Sequence, residues 1–216
     1  MRRTEESPFA SPLVADCDQA ALTSLDASSV DLSALDARNE LLRRGGGSFG
    51  EILAVSRARR VRLTAEMPFV LVLHLDEMGA VKWHEAEVNL PSTPGKLAKS
   101  GDLIVSLLNP AKFRATVIPD RYPEVQISAE FGIFASKVDP YAALALLQHP
   151  LVRAQLAPMG RGTSSSRRRV DADELLGLAC PPHDETWEHR TGRTVRQMLA
   201  SLDMAARALF ETFSRE

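Results

Sequence analysis

The chain has 216 residues, of which 44% are hydrophobic and 25% are charged, and its formal net charge is −2. This length allows one well-packed core with an appendage, or two small domains. No apolar run approaches the ~20 residues that span a bilayer, and the polar, acidic stretch after Arg3 argues against a secretory signal. The two cysteines, Cys17 and Cys180, match no metal or redox spacing. We therefore expect a cytoplasmic protein with reduced thiols and no membrane segment.

The charge is distributed unevenly along the chain. Residues 41–62 carry six basic and one acidic group, and residues 140–170 carry five basic and no acidic groups. The segments before, between and after these two blocks are acidic, with charges of −5, −3 and −4. Two basic blocks can build a positive surface for phosphate even when the total charge is slightly negative. The alternative is that both blocks are ordinary solvated charge runs.

The first sixty residues predict a loose arm followed by two short helices. Residues 1–23 are rich in Ser, Pro, Ala and Asp, which is typical of a poorly ordered terminus. A weak helical pattern then leads to Leu42, and glycines from Gly45 onward end it where left-handed backbone costs little. This glycine run lacks the Gly-Lys-Ser/Thr of a phosphate-binding loop, so we interpret it as a hinge. Residues 49–55 predict another short helix, and an arginine cluster follows it.

The next stretch predicts strands. Residues 69–75 are mostly β-branched and aliphatic after an aromatic start, and a turn leads from them into a second strand that ends at Trp83. Trp83 could stack on a base, but a tryptophan in an apolar-rich strand more often belongs to the core. Residues 91–99 are rich in Pro, Ser, Thr and Gly, which predicts a loop.

Residues 101–183 contain the most informative pattern. Asp139 followed by Pro140 predicts the start of a helix, and the His149-Pro150 pair predicts its break. Alternating apolar residues before this helix predict four strands. These strands are expected near residues 103–108, 115–117, 125–128 and 131–135. After the break come a loop of glycines, hydroxyls and arginines at 160–169, a short helix from Asp171, and a buried strand at 178–180.

The order of these pieces resembles a target-recognition domain of the specificity subunits of type I restriction-modification systems, which also occurs in half-size specificity proteins. No single tetrapeptide is diagnostic, so the resemblance depends on the order of the motifs over about eighty residues. The matching segments are residues 101–106 (GDLIVS), 117, 128–134 (SAEFGIF), 139–141 (DPY), 160–169 (GRGTSSSRRR), 173–176 (DELL) and 181–182 (PP).

The resemblance implies an α+β fold, in which a mixed β-sheet recognition domain with peripheral helices is followed by one long C-terminal helix. It divides the chain into an N-terminal arm and short helix at 1–45, the recognition domain at 46–183, and a pairing or docking helix at 184–216. With one recognition domain, the chain is expected to recognise one half of a split DNA site.

Residue chemistry indicates which side chains contact DNA. Arg and Lys neutralise phosphates, Ser and Thr hydroxyls add contacts that fix the register, and Arg or Asn can read guanine or adenine edges. Gln126 is a further candidate for reading a base. The predicted DNA-binding residues are Arg57, Arg59, Arg60, Ser106, Asn109, Lys112, Arg114, Arg161, Thr163, Ser164, Ser165, Ser166, Arg167, Arg168 and Arg169.

Residues 185–215 contain no proline and a single glycine, and their apolar residues recur every three or four positions. This spacing predicts one helix with an apolar stripe. At ~1.5 Å per residue it reaches ~40 Å, longer than one small domain covers. We predict that it packs on another helix or chain, whereas the alternative folds it back on its own domain. The predicted partner-binding residues are Val195, Met198, Leu199, Leu202, Ala206, Leu209 and Phe213.

In the resembled family, such a helix pairs with a second one and docks the methyltransferase subunits. The resemblance therefore implies a non-catalytic subunit of an anti-phage restriction-modification system, with double-stranded DNA and an adenine DNA methyltransferase as partners. Any S-adenosylmethionine belongs to the methyltransferase, and this chain needs no cofactor. A second specificity chain or a homodimer, and a restriction or translocase subunit, are further partners that the resemblance leaves open.

Catalysis by the chain itself finds little support. Residues 108–113 resemble the Asn-Pro-Pro-aromatic motif of adenine methyltransferases but lack its second proline and adjacent aromatic residue. No zinc or serine-hydrolase motif is present, and no nuclease-like acidic cluster stands out in sequence. Two functions remain: a module that reads DNA sequence, and an adaptor or decoy that docks a methyltransferase without reading bases.

Overall fold

The computed structural model describes residues 31–57, 59–61, 64, 66–89, 95–161 and 168–213, and only the backbone of residues 59–61. From Leu32 onward they belong to one compact unit. The fold is α+β, as the sequence predicts. The helices are α1 (Leu32–Arg43), α2 (Phe49–Ile52), α3 (Trp83–Val88), α4 (Pro140–Leu147), α5 (Pro150–Leu156), α6 (Ala172–Leu176) and α7 (Glu185–Phe213). The strands are β1 (Leu53–Val55), β2 (Arg59–Val61), β3 (Phe69–Val70), β4 (Gly95–Lys99), β5 (Leu103–Ser106), β6 (Ala115–Val117), β7 (Glu124–Ser128) and β8 (Phe131–Ser136).

Two four-stranded sheets form the centre of the unit. The first has the order β1-β8-β5-β6 and is antiparallel throughout. The second has the order β2-β4-β7-β3, in which β3 and β7 run parallel and the other pairs antiparallel. The turn at residues 129–130 joins the end of β7 in the second sheet to the start of β8 in the first. The two sheets therefore meet at the ends of these strands.

The first sheet is buried on both faces, because alternate residues of its strands enter two different cores. Leu103 and Val105 of β5 pack with Phe134 and helices α4 and α5 in one core. Ile104 and Ile133 point the other way and pack with the second sheet. Since side chains alternate along a strand, a strand covered on both faces shows a nearly continuous apolar run.

Helix α4 begins where the sequence predicts, because Asp139 accepts hydrogen bonds from the backbone N–H groups of Tyr141 (2.9 Å) and Ala142 (3.2 Å). Pro140 occupies the first helical position, where its missing N–H costs nothing. The break before α5 is also confirmed, since Pro150 opens a new helix.

Replacing Asp139 with alanine is expected to lower the free energy of unfolding by about 1 kcal/mol, because two N–H groups at the start of α4 lose their acceptor. Urea unfolding followed by circular dichroism measures this change. Asp139→Asn keeps an acceptor at the same place and should cost clearly less. Equal destabilisation by both variants would mean that the carboxylate charge matters and the cap does not.

Two strand predictions before residue 100 are wrong. β3 ends at Val70, and a 3-10 helix follows at Val72–His74, because the N–H of Leu71 bonds the ring of His74 (3.2 Å) instead of a neighbouring strand. Trp83 opens helix α3, although its predicted place in the core is confirmed by its burial. Part of the predicted loop at 91–99 is instead β4, an inner strand of the second sheet.

The segment at 178–180 is buried as predicted but is not a strand. Among the described residues, its strand pairing is limited to one isolated bridge, between Ser48 and Ala179. The side chain of Gln155 bonds both the N–H (2.9 Å) and the carbonyl (3.2 Å) of Ala179. This amide therefore satisfies the backbone groups that a neighbouring strand would otherwise pair.

Candidate nucleic-acid interface and docking helix

One edge of the two sheets gathers the end of β5, the turn at 129–130 and the end of the arginine-rich loop. Immediately after Ser106, the N–H of Leu107 donates to the carbonyl of Glu130 (2.9 Å). The carbonyl of Leu107 accepts from the N–H of Val170 (3.0 Å). Leu107 is thus held between two segments that are distant in sequence, and the three form one hydrogen-bonded edge.

The described ends of the arginine-rich segment form a short ladder at this edge. Arg161 and Arg169 exchange two backbone hydrogen bonds (2.8 and 3.0 Å), and Arg169 also bridges to Leu108. Gly160 has a φ of +97°, and a Cβ there would lie 3.0 Å from the carbonyl of Arg169, so glycine suits this base. Five predicted DNA-binding residues of the loop lie outside the described residues: Thr163, Ser164, Ser165, Ser166 and Arg167.

Several other predicted DNA contacts come together at the same edge. Arg57 follows β1, where the N–H of Ser56 bonds the carbonyl of Ile133 (2.8 Å). Arg59 and Arg60 lie in β2, of which only the backbone is described. We define the basic edge as the exposed residues Arg57, Lys112, Arg161, Arg168 and Arg169.

Asn109 and Arg114 flank the short helical turn that presents Lys112. Asn109 has a left-handed backbone (φ 53°), which Asn tolerates better than most residues. Its N–H bonds the carbonyl of Arg168 (2.8 Å), and its carbonyl accepts from Lys112 (2.9 Å). Arg114 is half-buried, and its Nε has no hydrogen-bond partner within the described part of the chain. Both side chains thus stand beside the basic edge on a fixed backbone.

Two candidates have structural tasks instead. The side chain of Gln126 is buried (1% exposed) and bonds the N–H (2.7 Å) and carbonyl (2.6 Å) of Thr64, so the prediction that it reads a base is wrong. Ser106 is also buried, and its hydroxyl donates to the carbonyl of Leu108 (3.1 Å). This bond shapes the turn after β5 and leaves the hydroxyl away from solvent.

Two acidic residues pair with this edge, and neither is among the site residues predicted from the sequence. Arg169 forms a two-pronged ion pair with Glu130, one arm of which measures 2.8 Å. Arg161 lies 3.7 Å from a carboxylate oxygen of Glu174. Glu130 could have been noticed, because it occupies the turn between two predicted strands. Its pairing with an arginine 39 positions away has no signature in sequence.

The structure confirms helix α7. Some of its apolar residues face the core of their own chain, and others face solvent. Val195 and Leu199 pack against the core of their own chain, so their assignment to a partner surface is wrong for this conformation. Gly192 lies against Asp139, where a side chain would collide. The folding-back alternative is therefore correct for this side of the helix.

The other side of α7 is not covered by the residues that the structure describes. We define the docking ridge as Met198, Leu202, Leu209 and Phe213, which are 37%, 43%, 61% and 71% exposed. Ala206 lies half-buried between the two sides. Ridge positions 198, 202 and 209 fall within a narrow arc of a helix that turns 100° per residue, as in the seam of a coiled coil.

Ion pairs hold the second half of α7 on the domain. Asp203 pairs with Arg121 and with Arg207 (3.4 Å), and Arg207 also bonds Glu87 (2.7 Å) and Tyr122 (2.8 Å). Burial and a hydrogen bond to Glu87 raise the pKa of Tyr122 to about 12. Burial opposes ionisation of Glu87, but its bonds to Arg207 and Tyr122 prevail and lower its pKa. The network therefore keeps Glu87 charged and the helix in place.

Neither a metal site nor a membrane span is found in the part of the chain that the structure describes. No group of three or more His, Cys, Asp or Glu side chains there could hold a metal ion. No helix within those residues has both the length and the apolarity to cross a bilayer.

No protein-family model matches the sequence, and no curated protein matches it. Among solved structures, the chain is similar to one described under the complex assembly and conformational transition of the type I R-M system. That match has 14% identity and a TM-score of 0.46, and covers 85% of this chain and 51% of the other. The HsdS subunit from Thermoanaerobacter tengcongensis is also similar, at 14% identity and a TM-score of 0.42, over 80% of this chain and 45% of the subunit.

This chain spans about half the length of the solved structures it matches.

Proposed function

We propose that this chain is a non-catalytic, sequence-specific DNA-binding subunit that directs a partner adenine DNA methyltransferase to its target. The basic edge binds double-stranded DNA, and the docking ridge binds the partner. One observation supports the proposal most: residues as distant in sequence as Arg57, Lys112 and Arg169 lie along one edge of the sheets. A surface built from separate segments is a more specific feature than any one charge run.

The chemistry of the basic edge suits a DNA backbone. Its five side chains are exposed arginines and a lysine, which neutralise phosphates and release counterions. Asn109 and Arg114 stand beside them on a fixed backbone, and these residue types make specific contacts with adenine and guanine edges. The basic edge thus supplies groups that position a duplex, and its two neighbours supply groups that can read it.

The two proposed surfaces occupy different ends of the first sheet. The basic edge adjoins Phe131, at the start of β8. Helix α7 contacts Asp139, just after the end of β8, and Arg196 of α7 pairs with Asp120 (3.2 Å) beyond β6. A six-residue strand is ~20 Å long. DNA and a partner protein can therefore bind at the same time.

A complete complex needs further components. One recognition unit contacts one half of a split site, so a two-part target requires a homodimer or a second specificity chain. The methyltransferase supplies S-adenosylmethionine and the methyl transfer. A restriction or translocase subunit joins where the system also cleaves DNA. All of these act on DNA in the cytoplasm.

A second candidate function is an adaptor that docks the methyltransferase without reading bases. The pairing of Arg169 and Arg161 with carboxylates favours it, because a paired arginine is less available to phosphate. Salt dependence separates the two functions: the affinity of a DNA reader falls steeply with salt yet differs between sequences. An adaptor shows neither property when it is free of its partner.

The proposed function is tested by methylome sequencing. Cells carrying an adenine methyltransferase encoded beside this chain are compared with and without the chain. We expect one methylated motif that is reproducible and that disappears when the chain is deleted. Methylation of the same adenines in its absence would refute the proposal.

A further inference from the structure

Glu130 occupies an unexpected position for an acidic residue, because it lies in the turn against which the basic edge is built. Its carbonyl accepts from Leu107, and Leu107 in turn bonds Val170, the residue after Arg169. The backbones of Glu130 and Arg169 are therefore held on either side of Leu107. The ion pair between their side chains follows from this fixed arrangement and needs no further ordering of the backbone.

The ion pair lies at the surface. The side chain of Arg169 is 60% exposed and that of Glu130 is 31% exposed, and both guanidinium nitrogens Nη1 and Nη2 face carboxylate oxygens. A phosphate offers the same guanidinium the same two-oxygen geometry. Because exposed ion pairs are worth little in free energy, phosphate can displace this carboxylate.

Displacement has a cost that depends on how the duplex is bound. Once Arg169 turns to a phosphate, the charge of Glu130 remains at the edge and repels the DNA backbone. Non-specific binding relies on phosphate contacts alone, so Arg169 must leave Glu130 in that complex, whereas in a target complex base contacts carry part of the affinity and the ion pair between Glu130 and Arg169 can stay intact. Negative charge at the centre of a basic surface therefore weakens non-specific binding more than specific binding.

From this geometry we propose that Glu130 is a specificity-determining residue, which competes with DNA phosphate for Arg169 and so suppresses binding to non-target duplex. The inference rests on the proposed function, because it requires the basic edge to bind DNA. Glu130 lies outside both basic blocks. On this proposal, its ion pair with Arg169 forms in the protein that is free of DNA.

The test compares Glu130→Gln with the matched control Glu124→Gln. Both variants remove one negative charge from the surface, and Glu124 is an exposed residue at the opposite end of β7. The probe is duplex DNA with a randomised central segment, and its affinity is measured by fluorescence anisotropy over a range of salt concentrations. The bound fraction is also sequenced, to measure enrichment of the preferred motif.

For Glu130→Gln we expect random-duplex affinity to rise about three- to tenfold at low salt, because Arg169 is released to a phosphate. The slope of log affinity against log salt should steepen by about 0.9, the value for one more phosphate contact. Enrichment of the preferred motif should fall. Glu124→Gln should match the unmodified chain, and the gain should vanish when Arg169→Ala is added to Glu130→Gln.

Each other outcome has a definite meaning. If Glu130→Gln behaves like Glu124→Gln, the ion pair with Arg169 does not control binding to duplex, and the inference is overturned. If Glu130→Gln weakens binding, Glu130 positions Arg169 for DNA, which also overturns it while the proposed function stands. If the unmodified chain shows no salt-dependent binding to duplex, the proposed function itself fails.

Discussion

Replacing Arg167, Arg168 and Arg169 together by alanine is expected to weaken binding to duplex DNA about a hundredfold near physiological salt, with little change in folding. Each arginine that contacts a phosphate contributes about 0.9 to the slope of log affinity against log salt, so the slope should fall by up to about 2.7. Arg168 and Arg169 are exposed and lie outside the buried core, so their truncation should leave the fold intact. Fluorescence anisotropy at several salt concentrations measures both quantities.

The control removes three exposed arginines elsewhere. Arg38 of α1 and Arg190 and Arg193 of α7 are exposed, and their replacement by alanine changes the net charge equally. This variant should lose little affinity, since charges beyond a Debye length of ~8 Å are largely screened. Equal affinity for duplex before and after the loop substitution would remove the loop from the interface. Equal losses in the loop variant and the control would show that net charge alone governs binding.

The second large effect is expected on the docking ridge. Leu202→Asp or Leu209→Asp should weaken association with the methyltransferase or a second copy by about 30-fold or more, because a carboxylate would be buried in an apolar seam. Both leucines are exposed among the described residues, Leu202 at 43% and Leu209 at 61%, so the free chain should fold normally. Co-purification and light scattering on a sizing column measure complex size.

Gln197→Asp provides the matched control for the ridge. Gln197 is exposed on the same helix, but at 100° per residue it lies far around the helix from Leu202 and Leu209. It introduces the same charge without entering the seam. An unchanged complex size for the two leucine variants would show that the ridge is not the docking surface, and loss with all three would indicate a general effect of charge on α7.

Local signals in the sequence were sufficient for the elements next to the proposed sites. Alternation of apolar residues predicted β5 to β8, the Asp139-Pro140 pair predicted the start of α4, and the long 3.6-residue periodicity predicted α7. These elements leave local signatures, because a capping side chain lies next to the helix start and burial of one or both faces sets the spacing of apolar residues along the element. The composition of residues 160–169 also predicts an arginine-rich loop, but residues 162–167 lie outside the described part of the chain.

The tertiary structure decided which residues share a surface. Gln126 lies in a predicted strand, but only the fold shows that its amide is buried against Thr64. The ion pair between Glu130 and Arg169 depends on Leu107, which links segments 39 residues apart. Periodicity shows that α7 is amphipathic, but it cannot say how the apolar arc is shared between its own core and a partner. Such arrangements arise from pairing between distant segments, which leaves no local pattern in the residues themselves.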